Sequence, residues 1–292
     1  MYTQFFGNFL LSKGYITNEQ LFDALKEKAQ KHAKLGTLAI HSGLMTAAEV
    51  DSVIVEQTHQ DKKFGELTIE MGYLTDEQVK ELLNIQSPDF LLLGQILLDK
   101  GIIDNTTLEK SIHDYRNENA ISDLDMVLED KDSINHLIGH FFANTGIDPS
   151  AIDIMYLELL FNSFIRFVGD DYTPLSAEIC DSFSADCMVR QDIKGSYAIS
   201  TYIGMSQTTA INFASRYANE SFSVYDEYVQ ASLDDFLNLN NGLFLVNCSN
   251  DQALELTLTA PEHFDGQTRS FNKACKLKLL YPFGAIHFII EF

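Results

Sequence analysis

The sequence predicts two folded parts: an α-helical repeat N-terminal domain and an α+β C-terminal domain, in which helices pack on an antiparallel-rich sheet. Two series of glycines, each recurring every 29 residues, carry the first prediction. The series are Gly7, Gly36, Gly65 and Gly94, and Gly14, Gly43, Gly72 and Gly101. A strict period of this length is typical of packed supersecondary units. In the second half, β-like runs interrupted by a pair of helices favour the α+β class. The predicted boundaries are 1–115 for the repeats, 116–152 for an acidic connector and 153–292 for the α+β domain.

Each repeat is predicted to be a short helix, a tight glycine turn and a longer amphipathic helix. The second glycine lies where a helix would end in a left-handed residue, a conformation that glycine adopts without steric cost. Capping boxes follow at the same offset in three copies, at 17–20, 46–49 and 75–78, and Asp104 is the corresponding N-cap in the fourth. Apolar residues then recur at helical spacing. Because one unit cannot bury its own apolar face, the four copies are expected to pack together.

These units resemble the tandem repeats of the N-terminal domain of type II secretion and pilus assembly ATPases, the MshE-N-like domain. That family's pattern is Arg-Leu-Gly, a second glycine seven residues later, and then Leu-x-x-Ala-Leu-x-x-Gln. Copies two and three match best. Some members of the family bind cyclic di-GMP across two successive motifs. The resemblance therefore implies a cyclic di-GMP site formed by Lys34, Leu35, Gly36, Gly43, Gln57, Lys63, Phe64, Gly65, Gly72 and Gln86.

This chain departs from the pattern at the residue that matters most for a nucleotide. The family's leading arginine is Lys34 and Lys63 in copies two and three, and Phe5 and Leu92 in copies one and four. A lysine lacks the planar fork with which arginine stacks on a base and reaches its edge. A docking module that keeps the fold without the ligand is therefore the favoured interpretation of the repeats.

Composition excludes several classes of partner. The chain has 292 residues and a net charge of −22. Nucleic-acid binding and electrostatic docking to anionic membranes both rest on lysine and arginine clusters, so neither is expected. No apolar run is long enough to span a membrane, and the first residues lack the features of a signal peptide. The four cysteines form no CxxC pair, which predicts reduced thiols in a cytoplasmic protein.

The connector contains two ambiguous patterns. An acidic stretch from Asp114 to Asp132 is predicted to be a linker or a solvated helix, and Gly139 and Gly146 then repeat the seven-residue spacing, either as a displaced fifth copy or by chance. His136 and His140 lie four residues apart, but no third ligand and no catalytic glutamate accompany them. Helix packing, and not a metal site, is the favoured account of this pair.

The C-terminal part is predicted to contain helices at 153–168, 207–217 and 227–240. Strands are predicted at 177–180, 186–191, 196–203, 243–246, 253–259, 275–281 and 286–291, with a hairpin turn at Lys194 and Gly195. The helix at 227–240 carries the candidate chemistry. Asp235 and Asn238 are three residues apart, which places them on one helical face, and Gly242 follows four residues after Asn238. On its own, this pair is better explained as residues that cap or fray the end of a solvated helix.

The same segment resembles the CheX, CheC and FliY family of phosphatases, which act on phosphorylated chemotaxis response regulators. The family motif is an acid, two residues, an asparagine and a glycine four residues later. The preceding strand-then-helix segment, GSYAISTYIGMSQTTAINFASRYA, is also similar. The family's usual glutamate is Asp235 here, and Ala231 stands where the family often has Asp or Ser.

The resemblance implies Asp235 and Asn238 as catalytic residues acting on a response-regulator receiver domain. Asn238 would hold the attacking water in line with the phosphoryl group, and Asp235 would pair with a receiver lysine. No intrinsic cofactor is expected, because the receiver supplies Mg²⁺; cyclic di-GMP is the one ligand that the repeats could add.

Three functions remain open at this point. The first is a phosphatase whose repeats dock or regulate it. The second is a non-catalytic adaptor that binds a receiver or forms a homodimer. The third is a cyclic di-GMP sensor. Exposure of Asp235 and Asn238 on one face would favour the first, and burial of either would favour the second. A basic, open groove between copies two and three would favour the third.

Overall fold

The computed structural model describes residues 2–27, 33–84, 89–118, 138, 142 and 145–292. The chain divides into two compact units, Tyr2–Leu128 and Glu129–Phe292. The predicted connector falls largely on residues outside the described ones, as do Gly139, His136 and His140. Gly146 is described and has a φ of 66°. In the described part of the chain no helix is long and apolar enough to cross a membrane.

The N-terminal unit consists of helix pairs in register with the sequence repeat. The helices are α1 (Tyr2–Ser12), α2 (Asn18–Glu27), α3 (Leu35–His41), α4 (Ala47–Gln57), α5 (Phe64–Glu70), α6 (Asp76–Asn84), α7 (Asp89–Asp99) and α8 (Asn105–Glu118). The predicted glycine turns are present, with φ values of 73°, 66°, 75° and 64° at Gly14, Gly43, Gly72 and Gly101. Helix α8 continues through Asp114 to Glu118, so the start of the predicted linker is helical.

The predicted capping hydrogen bonds also form. The backbone N–H of Glu49 donates to the Thr46 hydroxyl at 3.3 Å, and the backbone N–H of Thr46 donates to the Glu49 carboxylate at 2.7 Å. Equivalent pairs link Thr17 with Gln20 and Thr75 with Gln78. Each pair satisfies two backbone donors that a helix start leaves unpaired.

The first helix is short only in copies two and three. Helices α3 and α5 have seven residues each, whereas α1 and α7 have eleven. The prediction of a short first helix is therefore wrong for copies one and four. Apolar residues ahead of their glycines, Phe5 and Leu91 among them, are buried and extend the helix backwards, while α3 and α5 begin after Lys34 and Lys63.

Copies that are distant in sequence pack against each other. Helix α3 contacts α7 and α8, α4 contacts α8, and α1 contacts α7. Copy two therefore packs on copy four as well as on copy three. The buried hydroxyl of Thr37 donates to Gln95 Oε1 at 2.6 Å, and these two residues hold the same position in their repeats. The backbone N–H of Ala47 donates to Glu109 at 2.9 Å across the same contact.

The C-terminal unit is an antiparallel sheet with helices packed on it. Its helices are α9 (Ala151–Phe167), α10 (Gln207–Ala218) and α11 (Glu227–Gln252). Its strands are β1 (Thr173–Ile179), β2 (Ser182–Phe183), β3 (Cys187–Gly195), β4 (Ile199–Met205), β5 (Leu256–Leu258), β6 (Glu262–His263), β7 (Arg269–Ser270), β8 (Ala274–Tyr281) and β9 (Gly284–Glu291). The main sheet has the order β1-β8-β9-β4-β3-β5, with β6 also on β3, and β2 pairs with β7. This architecture agrees with the predicted α+β class.

Adjacent residues of β9 show how the two faces of the main sheet are covered. Phe288 faces the helices, where its ring lies 6.2 Å from that of Tyr156 on α9. Ile289 belongs to a second cluster on the opposite face, with Met188, Tyr202 and Phe271. Alternation of side chains along the strand thus supplies both cores from one element.

Helix α11 is longer than the sequence predicts. The predicted end at Asn240 and the predicted strand at 243–246 are both wrong, because the helix continues to Gln252. Asn240, Phe244 and Cys248 are all fully buried and are spaced four residues apart, so they lie on one inward face. A short apolar run such as 243–246 does not by itself distinguish a strand from a buried helical turn.

Candidate functional site

Asp235 and Asn238 are both exposed on the outer face of α11, one helical turn apart. This is the arrangement that favours the phosphatase interpretation over the adaptor. Both side chains are held in place, because each accepts a hydrogen bond from a residue outside α11. The site is therefore built from α11 together with α10 and β3.

Asp235 is held by Tyr217 of α10. The phenol hydroxyl donates to Asp235 Oδ2 at 2.6 Å, and the Tyr217 ring packs on Phe213 and Phe236. Burial raises the pKa of Tyr217 well above its usual value, and the hydrogen bond to Asp235 raises it further. The phenol therefore remains a donor at neutral pH. Only one carboxylate oxygen is engaged by this bond, so the carboxylate keeps acceptor capacity for a cation on a partner.

Asn238 is held by Gln191 of β3. Gln191 Nε2 donates to Asn238 Oδ1 at 2.8 Å and to the backbone oxygen of Thr259 at 3.0 Å. Gln191 is fully buried, whereas Asn238 is exposed. The contact thus joins a surface amide to the interior of the unit.

Behind Gln191 lies a buried polar network. Asn241 Nδ2 donates to Gln191 Oε1 at 2.8 Å and to Thr201 Oγ1 at 3.0 Å. The Tyr156 hydroxyl donates to Asn241 Oδ1 at 2.7 Å. Burial raises the pKa of Tyr156 well above its usual value, so this hydroxyl stays protonated. A buried network in which each polar group has a partner is rigid, because an unpaired member would be costly.

The exposed face around the pair is shaped by small residues. Ala231 lies one turn before Asp235 and Gly242 one turn after Asn238, and a Cβ placed on Gly242 would meet no atom within 4 Å. Apolar side chains lie further out in both directions: Tyr228 is 65% exposed and Val246 is 55% exposed. We call this surface the α11 face. It comprises Tyr228, Ala231, Asp235, Asn238, Gly242 and Val246.

Gln191 and Tyr217 belong to this site but are not among the residues predicted from the sequence. A signal for Gln191 exists, because Cys187, Val189, Gln191 and Ile193 alternate along β3 as its inward face and are all buried. A single amide in such a row predicts a buried hydrogen-bond partner. Tyr217 carries no comparable signal, since its contact with Asp235 depends on how α10 packs on α11.

The predicted nucleotide residues are only partly brought together. A cavity of about 710 Å³ in the N-terminal unit is lined by Lys34, Leu35, Gly36, Gln57 and Phe64. Its other wall comes from copy four and includes Gln95, Asp99, Asp104 and Asn105. Phe64 is the one predicted residue of copy three in this lining, so the cavity lies mainly between copies two and four, whereas the resemblance implied copies two and three.

The other predicted ligand residues that the structure describes have structural roles. Gly43 and Gly72 form helix-ending turns, and Gly65 packs against Leu35 and Val79. The backbone N–H of Lys63 donates to Glu66 at 3.0 Å at the start of α5. Gln86 lies outside the described residues.

The charge of the cavity is acidic. Asp51, Asp99 and Asp104 line it against the single cation Lys34, whose ammonium lies 2.7 Å from Asp99. A cyclic dinucleotide carries two negative charges, so these carboxylates oppose its binding. This cavity is not the basic, open groove that a nucleotide sensor is expected to have.

The cysteines are free thiols, and all four are buried. Burial raises the pKa of Cys187 to about 11 and that of Cys275 to about 12, so neither is a thiolate at neutral pH. Among the residues that the structure describes, no group of histidine, cysteine or carboxylate side chains could hold a metal ion.

No protein-family model matches this chain, and no curated protein matches it. Solved structures are similar to about half of it. A CheC-like superfamily protein from Shewanella sp. PV-4 covers 49% of this chain and 97% of its own length, at 15% identity and a TM-score of 0.43. The chemotaxis protein CheX from Desulfovibrio desulfuricans covers 48% and 98%, at 13% identity and a TM-score of 0.42. A chain of the CheX–CheY–BeF3–Mg²⁺ complex from Borrelia burgdorferi covers 47% and 94%, at 18% identity and a TM-score of 0.37.

Proposed function

We propose that the C-terminal unit hydrolyses the phosphoaspartate of a response-regulator receiver domain, and that the N-terminal helices dock or regulate it. One observation carries the proposal: Asn238 presents an exposed amide whose oxygen is held from inside by Gln191, one turn from the exposed carboxylate of Asp235. This pair is the acid and amide on which the resemblance to the CheX, CheC and FliY family rests.

In this hydrolysis the main task of the phosphatase is to position the attacking water. A water attacks phosphorus as the bond to the aspartyl oxygen breaks, which yields inorganic phosphate and the receiver's carboxylate. The receiver's own Mg²⁺ neutralises charge on the phosphoryl oxygens. Asn238 Oδ1 has two lone pairs, of which Gln191 engages one. The second can accept a hydrogen from the attacking water and orient it.

Asp235 has a different role in this proposal. Its carboxylate pairs with a lysine of the receiver, which fixes the complex and draws that lysine away from the phosphoryl group. The aspartate is one methylene shorter than the family's glutamate. The hydrogen bond from Tyr217 compensates in part, because it limits the orientations that the shorter side chain can take.

The α11 face suits insertion into a receiver's active site. Ala231 and Gly242 have no large side chains that project on either side of the pair, so a partner can approach the helix closely. Tyr228 and Val246 offer apolar contact at the two ends. Exposed apolar groups around a polar centre are typical of protein interaction sites.

The direct experiment follows loss of label from a phosphorylated receiver mixed with the full chain. We expect wild type to accelerate the loss and Asn238→Ala to return it to the receiver's own rate. Asn250→Ala and Asp251→Asn are matched controls, since both residues are exposed near the end of the same helix and lie off the pair. The proposal would be overturned if the protein did not accelerate loss of label from any receiver that is encoded near its own gene. Binding without acceleration would instead support the adaptor.

The sensor alternative has a separate test. The Lys34 ammonium, Gln57 and a cavity of about 710 Å³ are the observations in its favour, and the acidic wall from copy four is the observation against it. We expect no heat from cyclic di-GMP at micromolar concentration in calorimetry with the full chain. A saturable signal that Lys34→Ala removes would restore the sensor.

A further inference from the structure

We propose that Gln191 is a positioning residue that sets which way the Asn238 amide faces. The inference rests on the proposed phosphatase function and deepens it. Gln191 does not reach the surface, so it can act on the reaction only through the residues that it contacts, of which Asn238 is the exposed one. The direction of each hydrogen bond in the buried network determines which way the Asn238 amide faces.

A backbone carbonyl fixes the orientation of Gln191. The oxygen of Thr259 is an acceptor only, and it lies 3.0 Å from Gln191 Nε2. The NH2 end of Gln191 must therefore face Thr259, which leaves Oε1 towards Asn241. Strand β3 holds this geometry because the neighbouring backbone N–H of Asp192 donates to the Thr259 hydroxyl at 3.0 Å.

Thr201 imposes the same direction, because its hydroxyl donates to the backbone oxygen of Gln191 at 3.0 Å and its oxygen must therefore accept from Asn241 Nδ2. The Ser163 hydroxyl donates to Asn240 Oδ1 at 2.9 Å, and Asn240 Nδ2 donates to the Tyr156 hydroxyl at 3.2 Å. The Tyr156 hydroxyl donates to Asn241 Oδ1 at 2.7 Å, which completes the network, and the NH2 of Asn241 faces Gln191. Reversing either amide would bring two oxygens or two NH2 groups together.

This direction has a consequence at the surface. Because Gln191 offers an NH2 to Asn238, the oxygen of Asn238 faces β3 and its own NH2 faces away from Gln191. The free lone pair of Oδ1 is then held in one place for a water, and Nδ2 can donate to a phosphoryl oxygen. An unanchored asparagine on a helix surface would sample both amide orientations, and only one of them presents this pattern.

The test compares Gln191→Leu with Ser163→Ala in the full chain. Leucine keeps much of the volume and removes the bond to Asn238, whereas the serine change removes a buried hydrogen bond at the far end of the same network. We expect kcat on a phosphorylated receiver to fall roughly 10- to 100-fold in Gln191→Leu with KM unchanged, because the α11 face is intact while the water is misplaced. Ser163→Ala should keep kcat within about twofold of wild type.

A second measurement does not depend on activity. The side-chain NH2 of Asn238, followed by ¹⁵N relaxation, should be as ordered as the backbone in wild type and in Ser163→Ala, and mobile in Gln191→Leu. Full kcat in Gln191→Leu, or an equal loss in Ser163→Ala, would overturn the positioning role while leaving the phosphatase proposal intact. If wild type hydrolyses no phosphoreceiver, the proposed function fails. The amide measurement then decides alone, and equal mobility in wild type and Gln191→Leu would overturn the inference.

Discussion

The hydroxyl of Tyr217 donates to Oδ2 of Asp235 at 2.6 Å, which ties the exposed acid of α11 to the end of α10. The two residues are 18 positions apart in the chain. The contact gives the acid and the amide separate anchors, Tyr217 for Asp235 and Gln191 for Asn238. Because the anchors are separate, changes at Tyr217 and at Gln191 should affect different kinetic constants.

Tyr217→Phe should raise KM for a phosphorylated receiver several-fold and leave kcat nearly unchanged. The reason is that Asp235 acts in fixing the complex, while Asn238 acts on the water. The ring stays packed on Phe213 and Phe236, so the free energy of unfolding should fall by no more than about 1 kcal/mol. Steady-state kinetics tests this, with Tyr225→Phe as the matched control, because that change removes a tyrosine-to-aspartate hydrogen bond, to Asp265 at 2.8 Å, that lies off the α11 face. A fall in kcat with KM unchanged would contradict the separate roles.

Gly242→Ala should stabilise the protein and weaken its action on a receiver. A helix-interior glycine costs about 1 kcal/mol relative to alanine, and the added Cβ would meet open space. Nothing inside this chain therefore requires the glycine, and we expect the unfolding free energy to rise by about that amount. If the glycine serves close approach of a partner, KM should rise in the same variant.

The matched control for Gly242→Ala is Ala231→Gly, on the other side of the pair. That change should lower the unfolding free energy by about 1 kcal/mol and leave KM unchanged. Unchanged KM in Gly242→Ala would show that the helix does not depend on this glycine for docking.

Local features of the fold were predictable from the sequence because their causes are local. A capping box is completed within four residues, so Thr46 and Glu49 identify the start of α4 without reference to the rest of the chain. A left-handed turn needs only a residue such as Gly43 that tolerates positive φ. The placement of Asp235 and Asn238 on one face of α11 follows from helical spacing in the same way, whereas spacing alone does not determine that this face is exposed.

Features that depend on tertiary packing were not predictable. The extension of α11 to Gln252 requires the interior to satisfy Asn240 and Asn241, and their partners Tyr156 and Gln191 lie 50 or more positions away. The packing of copy two on copy four is of the same kind, since Gln95 could pair with Thr37 only once the helices had met. The pattern of apolar residues and glycines is common to all four copies, so it does not predict which copies pack against each other.

Gly43→Ala should destabilise the N-terminal unit through its backbone alone. Gly43 has a φ of 66°, and a Cβ there would meet no atom within 4 Å. The cost is thus the left-handed strain of a non-glycine residue, about 1–2 kcal/mol. Hydrogen exchange of the amides in α3 and α4 of the full chain should show this loss, and Gly242→Ala, which lacks that strain, should leave the same amides unchanged. Unaltered protection of these amides in Gly43→Ala would contradict the expected backbone strain at position 43.

His287 should make the stability of the C-terminal unit depend on pH below neutrality. Burial lowers its pKa to about 4, and the nearby charges of Lys276 and Lys278 add to this, while Glu178 opposes it. Above the ordinary value of about 6.5, both the folded and the unfolded chain hold a neutral imidazole and stability is complete. As the pH falls from about 6.5 towards 4, the unfolded chain takes up a proton that the folded chain refuses, so stability is lost.

The full loss from this one group would approach about 3 kcal/mol at low pH. Urea unfolding of wild type and His287→Gln at roughly pH 5 and pH 7.5 tests it, because the carboxylates common to both proteins cancel in the difference. Wild type should lose more stability than the variant between the two pH values, by on the order of 1–2 kcal/mol. Equal losses would mean that the imidazole takes up its proton in the folded chain as readily as in the unfolded one, and would place it in contact with solvent or with the Glu178 carboxylate.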